Sequence, residues 1–412
     1  MANIIPFKAV RPTRDKVSLV ASRAYDAYTA EQRDARLNTN PYSFLHIINP
    51  GYKFHKEISG KARYALVKNR YLEFKEEHIF VQDQTPSYYV YCIVDRDGQE
   101  CNGIIAAASA EDYQNNIIKK HESTLAFREI IFKDYLKAVR FNAEPVLLTY
   151  PDNPKLKEII TQVKQDRADF EFTTTTKDTH YLWPVNNAVI CNTIQAIFKA
   201  IPSVYIADGH HRCASSYMLY LEEKSKNNNH TGTENYNFFM TYLIPESDLR
   251  VYEFNRLVSD LNGLNPESFL IQLDTYFRIE NRGNTPYKPS KPHHFSMYLN
   301  GDFYSLYLRK TAYTFKTALD QLDAYILYKT ILKPILGISN LRQDKRITYS
   351  TGKNGFLDIK SKVDTGDYKV GFSMLAATTN QIKQIADEGL QMPPKSTYIE
   401  PKLRSGITIF EF

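Results

Sequence analysis

The chain is poor in cysteine, tryptophan, long apolar runs and net charge. Its four cysteines, Cys92, Cys101, Cys191 and Cys213, are spread through 412 residues. None belongs to a Cys-x-x-Cys pair, so a thiolate zinc site lacks support and no disulfide framework can be built. A reducing cytoplasm suits this usage. No window reaches about 18 consecutive apolar residues, so no membrane span is expected. The start, Met1-Ala2-Asn3-Ile4-Ile5-Pro6, has neither the basic segment nor the apolar run of a signal peptide. With 52 basic and 46 acidic side chains the net charge is +6. That surplus suits an anionic small ligand and is too weak for non-specific nucleic-acid binding. Several motifs are missing as well: the P-loop, Gly-x-Gly-x-x-Gly and Gly-x-Ser-x-Gly. His121-Glu122 runs on into Ser-Thr-Leu, which breaks the zincin His-Glu-x-x-His pattern. Asp95-Arg96-Asp97-Gly98 lacks the remaining calcium ligands and reads as a turn.

What is present describes a globular chain. It is 43% hydrophobic and 24% charged, with 30 Tyr and 23 Phe beside the single Trp183. Its length suggests about two or three domains, and no internal repeat is visible. Thr29 with Gln32 predicts a capping box opening a helix toward Leu37. The run 43–48, between Asn40-Pro41 and Asn49-Pro50-Gly51, predicts a strand between breakers. Residues 60–78 read as helix, and 88–94 with 103–108 as a hairpin around Asp97-Gly98. Ser109 is expected to cap a helix through Ile118, followed by a longer amphipathic helix over 124–141. Its stripe of Phe127, Ile130, Ile131 and Tyr135 is assigned, with Tyr252 and Phe254, to core packing. Strands follow at 146–150, twice within 170–185, and at 204–207, separated by a helix at 187–200. Another helix runs to about Lys224, and 225–236 reads as a polar loop. Beyond it come a helix opened by Asn265-Pro266, a hairpin around Asn300-Gly301 and a helix over 320–332. The tail carries a strand near 370–377, a helix at 379–388 and a strand at 407–411. His293-His294 is read as surface. Alternating strands and helices give an α/β class with a mixed sheet.

The densest polar cluster is Asp208-Gly209-His210-His211-Arg212, between a strand and the helix it opens. A helix start favours anions, because its first amides and the positive end of its dipole face outward. Gly209 permits close backbone approach. Arg212 offers a planar fork for phosphate oxygens, and the histidines add donors or proton carriers. Asp208 could hold a histidine tautomer or a magnesium-bound water. The competing reading is a polar helix start with structural histidines. A zinc site on His210 and His211 is a further option, without His-x₃-His or cysteine spacing to support it.

From these residues outward, the sequence is similar to a known group. Ile206-Ala207-Asp208-Gly209-His210-His211-Arg212 resembles the signature of free-serine kinases of the ParB/sulfiredoxin-like fold. The whole chain resembles the long, SerK-like domain-of-unknown-function family. The matching pieces, in order, are Ile5-Pro6-Phe7 with Arg11-Pro12, the stretch 40–46, Lys120-His121-Glu122 with Thr124, and Glu144–Leu148. The Asp208–Arg212 turn, Tyr252–Arg256, Asp344–Ile347, Met392–Thr397 and Glu400–Gly406 complete the set. The resemblance implies a ParB/sulfiredoxin-like phosphate-binding core at 109–226 with an insertion at 151–203. An N-terminal α/β extension (1–108) would precede it, and a C-terminal α/β domain (237–412) would complete the site.

The resemblance also implies roles. Glu122 would take the proton of a serine hydroxyl, with Asp208 and His210 as catalytic partners. His121, Gly209, His211, Arg212, Lys395, Ser396, Thr397 and Arg404 would bind substrate or phosphate. Mg2+ would bridge phosphates, and the donor stays open among ATP, ADP and pyrophosphate. Phosphoryl transfer fits such a set, because it needs positioning and charge neutralisation more than covalent work by the protein. The expected activity is therefore interconversion of free serine, or a similar small hydroxy compound, and its O-phosphate. Two alternatives are kept: a nucleotide-binding regulatory module without small-molecule kinase activity, and a metal-dependent hydrolase. Expected partners are a small-molecule substrate and the donor, without nucleic acid or membrane.

Overall fold

The structure is a computed structural model. It describes the backbone of residues 1–412 and every side chain except those of Asn354 and Phe356. The chain forms two compact units. One comprises 1–120, 124–249 and 401–412; the other comprises 121–123 and 250–400.

The first unit is built on a mixed sheet. Its strands lie in the order Ile118–Lys119, Val204–Asp208, Val146–Tyr150, Phe238–Pro245, Glu100–Ser109, Tyr88–Val94, Thr179–Val185 and Phe170–Thr173, and Ile4–Ile5 also pairs with Glu100–Ser109. Two pairings are parallel, Val204–Asp208 with Ile118–Lys119 and Phe238–Pro245 with Val146–Tyr150; the others are antiparallel. Val146–Tyr150 is buried along its whole length, as a strand covered on both faces must be. Leu156, Ile159 and Ile160 of the helix Pro154–Val163, and Ile194 and Phe198 of Ala188–Ala200, pack into the same core. Each such buried side chain contributes roughly 1.5–3 kcal/mol. A second cluster joins Val10, Val20, Phe44, Val67, Tyr71, Phe74, Phe80, Phe141 and Ile409 around the helix Gly60–Glu76.

The second unit holds a six-stranded antiparallel sheet. Its order is Phe277–Gly283, Asp302–Leu308, His294–Leu299, Val370–Ser373, Phe254–Val258 and Ile347–Thr351. The α/β expectation therefore holds, as do the Thr29–Gln32 capping box and the hairpin turns at Asp97-Gly98 and Asn300-Gly301. Among the described residues, no helix is long and apolar enough to cross a membrane.

Several expectations are corrected. The expected strand at 43–48 is instead a short helix, Leu45–Ile48. Asn40 Oδ1 accepts from the Tyr42 amide at 3.1 Å, so the chain turns there instead of extending; an apolar run this short does not reveal its period. Ser109 does cap a helix, but only Ala110–Gln114. Asn116 is left-handed, and Ile118 pairs with Val204. The expected helix at 320–332 begins at Asp323 and changes after Leu327 into a π-helical turn over Tyr328–Leu332. The stripe assigned to the core is largely outside it. Phe127, Ile130 and Ile131 are 58%, 47% and 51% exposed. Their helix, Ala126–Val139, buries Leu136 and Val139 near its other end, with Tyr135 half-buried against the second cluster. Periodicity identifies an apolar face and leaves open what covers it. His293 and His294 are half-buried rather than surface residues: His293 stacks on Phe315 at 4.7 Å and His294 meets Tyr307 edge-on at 4.8 Å.

Candidate functional site

In the first unit the candidate site is the turn between the strand Val204–Asp208 and the helix His210–Lys226. The strand's register against Val146–Tyr150 shifts between Ile206 and Asp208. Such a bulge re-aims the side chain that follows it, here Asp208. Gly209 then takes φ +100, and a Cβ there would stand 3.0 Å from Arg212 Nε. Only glycine accepts both the left-handed backbone and the guanidinium folded back over it. As N-cap, Gly209 brings no side-chain oxygen to the first turn, where helix amides lack intrahelical acceptors.

Charges meet closely at this turn. Arg212 Nη2 contacts Asp208 Oδ2 at 3.0 Å, and its Nη1 lies 3.1 Å from Glu144 Oε1 and donates to the Pro145 carbonyl at 2.7 Å. Lys402 Nζ stands 3.6 Å from Asp208 Oδ1. Glu144 and Lys402 are thus members of the cluster that sequence reasoning did not single out. Both lie in segments quoted for the family resemblance, which was the available signal. His210 is buried and His211 half-buried, with Phe132 at 6.5 Å from the His211 ring. Arg404 is placed elsewhere in this unit: its Nη2 donates to Thr176 Oγ1 at 2.9 Å and meets Asp178 Oδ2 at 3.3 Å, on the hairpin formed by Phe170–Thr173 and Thr179–Val185.

The second unit holds the other candidates. The Met392 amide donates to the His121 carbonyl at 2.8 Å, and Glu122 forms a parallel bridge with Met392. The His-Glu pair is thereby tied to the segment that continues into Lys395-Ser396-Thr397. His121 is 2% exposed, and burial pushes its imidazole down to about 4. It stays neutral near pH 7 and offers hydrogen bonding rather than charge. Glu122 is exposed. Lys395 is exposed with φ +56, and the buried Ser396 donates to the Pro393 carbonyl at 2.7 Å.

Among the described residues, no group of three or more His, Cys, Asp or Glu could hold a metal ion. That pattern gives no support to a protein-caged zinc. Magnesium asks for less, because it keeps several waters and commonly takes one or two carboxylates together with substrate phosphates. The half-exposed Asp208 carboxylate suits that donor set.

Comparison with known proteins now decides the family. The model described as "Protein of unknown function (DUF1015)" matches residues 4–325. The chain belongs to this family. Among curated proteins, none matches the chain. Solved structures similar to this family member include SbnI with C-terminal truncation from Staphylococcus aureus, at 11% identity and TM-score 0.40, covering 74% of this chain and 85% of that one. A free serine kinase in complex with AMP has 11% identity and TM-score 0.34, over 74% and 91% of the two chains. A conserved hypothetical protein from Pyrococcus furiosus has 13% identity and TM-score 0.36, over 74% and 94%.

Proposed function

We propose that the chain is a phosphotransferase with a ParB/sulfiredoxin-like core, interconverting free serine, or a similar small hydroxy compound, and its O-phosphate. ATP, ADP or pyrophosphate would serve as donor. The observation that carries this reading is the link between His121-Glu122 and Met392, which sets the candidate base beside the Pro-Pro-Lys-Ser-Thr segment. The kinase-like order of motifs along the chain thereby gains a local geometry.

In this reading Glu122 receives the hydroxyl proton as the acceptor oxygen attacks phosphorus, and the bond from phosphorus to the donor's bridging oxygen breaks. Exposure keeps Glu122 accessible to a substrate. Arg212, Lys402 and the first turn of His210–Lys226 offset the charge of the transferring phosphoryl group and of the departing phosphate. His210 supplies a hydrogen bond or a proton within the same turn. Lys395 and Thr397 hold the acceptor's anionic group, while Ser396, whose hydroxyl donates to the Pro393 carbonyl, shapes the turn between them. Asp208 would hold a magnesium ion, which would supply further neutralisation of phosphate charge. Catalysis lowers the barrier in both directions, so the concentrations of the reactants set the net flux.

The test is direct. Purified protein is mixed with serine, magnesium and each of the three donors, and phosphoserine is measured; phosphoserine with each dephosphorylated donor product is assayed for serine. The reading fails if neither direction yields product.

A further inference from the structure

The strand Phe254–Val258 carries an arginine where a sheet interior normally carries an apolar side chain. Arg256 is 1% exposed, and burial pushes its guanidinium down to about 10. It remains charged near pH 7, yet among the described residues no carboxylate pairs with it. Its partners are neutral. Nη1 donates to the Phe254 carbonyl and lies 3.8 Å from Met374 Sδ; Nη2 donates to the Lys395 carbonyl at 3.0 Å. The Tyr349 ring lies 5.4 Å beneath the guanidinium carbon.

A buried unpaired charge is costly, because the desolvation is not repaid by an opposite charge, so a sheet is not expected to hold one for packing alone. The contact with Lys395 suggests its use. Lys395 has a left-handed backbone, an arrangement unfavourable for a non-glycine residue. Its carbonyl is held by Arg256, and its Nζ lies 5.3 Å from the centre of the Phe254 ring. Phe254 and Arg256 are two residues apart on one strand, so they share a face. One platform therefore fixes both ends of Lys395, the carbonyl through Arg256 and the amine through Phe254.

We propose that Arg256 is the positioning residue of the Pro393–Thr397 turn, holding the Lys395 carbonyl so that the Lys395 amine is presented to an anionic group of the substrate. The role of Lys395 rests on the phosphotransferase reading; its positioning by Arg256 does not. Lysine at 256 would keep the charge but could not span two carbonyls, so Arg256→Lys isolates the geometry.

The experiment uses the full chain with its lysines carrying ¹³C-methyl groups, and the Lys395 resonance is identified by its loss in Lys395→Arg. In Arg256→Lys and Arg256→Met this resonance is expected to lose its ring-current displacement and move toward the exposed-lysine position, while the other lysine signals stay. Kinetically, Arg256→Lys is expected to raise KM by about ten-fold with a smaller change in kcat. The Arg256→Lys/Lys395→Ala double variant should be no worse than Lys395→Ala, because residues acting as one unit are not additive. An unmoved Lys395 resonance in the folded Arg256→Lys protein overturns the proposal whatever the activity. A moved resonance with unchanged KM, or with effects that multiply, overturns the functional role. A moved resonance in a protein whose wild type makes no product from any donor supports the positioning and removes the phosphotransferase reading. If Arg256→Met does not fold, Arg256→Lys carries the test.

Discussion

The amide of Met392 and the carbonyl of His121 are 2.8 Å apart, and this hydrogen bond joins two segments that lie far apart in the chain. Through it, the exposed Glu122 comes to lie alongside the segment that ends in Lys395-Ser396-Thr397.

If Glu122 is the base, Glu122→Gln should fold normally and lose about 10²- to 10⁴-fold in kcat, the usual contribution of a positioned general base. Turnover with serine and the effective donor measures this. Unchanged turnover would remove the assignment of Glu122 while leaving the reaction class intact.

Gly209→Ala tests the turn. The substitution places a Cβ at φ +100 and against the Arg212 guanidinium. It should destabilise the protein by roughly 1–3 kcal/mol and weaken binding of inorganic phosphate. Thermal unfolding and calorimetric titration report the two effects separately. A variant with wild-type values in both would show that the backbone conformation is not needed.

Lys402 and Arg404 should now differ in consequence. Lys402→Ala removes a cation beside Asp208 and should raise the donor KM with little loss of stability, since so exposed an ion pair contributes about 0–1 kcal/mol. Arg404→Ala removes the side chain that binds Thr176 and Asp178 and should lower Tm without changing KM. The reverse pattern would return the phosphate contact to Arg404.

Asp323 should leave a mark on the pH dependence of stability. It is 6% exposed; burial pushes its carboxyl up to about 7, against the opposing effect of the His293 amide at 2.9 Å and the Leu375 amide. The folded state thus keeps a proton that the unfolded chain releases near pH 4. The resulting stabilisation is fully present below pH 4 and fades as pH rises through about 7, a change of up to roughly 4 kcal/mol. His121, held neutral down to about 4, acts with the opposite sign, losing stability as pH falls from about 6.5. Asp323→Asn separates the two. Relative to wild type, its stability should rise from pH 5 to pH 8, as followed by urea unfolding. A constant difference would mean that Asp323 is ionised throughout.

The exposed apolar residues of Ala126–Val139 give a simple check. Phe127→Ala should change stability by no more than about 0.5 kcal/mol, whereas a core phenylalanine would cost about 3–5 kcal/mol.

Much of the secondary structure was legible because it is locally encoded. Thr29 forms a full capping box with Gln32, and Asn265 caps the helix that follows it. These signals need only neighbours in the chain. Ser43–Ile48 and the Phe127–Ile131 stripe were misread for a shared reason: an apolar run states a preference for burial, while its conformation and cover depend on partners distant in sequence. The Asp208–Arg212 turn was visible as a motif, and its neighbours were not, because Lys402 reaches Asp208 only after the tail has returned to the first unit.

The sequence by itself determined a mixed α/β chain, the family it belongs to, and the glycine that the turn requires, since backbone sterics and capping act over a few residues. Tertiary structure alone decided that Met392 holds His121, that Lys402 rather than Arg404 lies at Asp208, and that Arg256 is buried beneath Lys395. Those pairings depend on strand order and register, which arise when long loops close and whole faces are buried together.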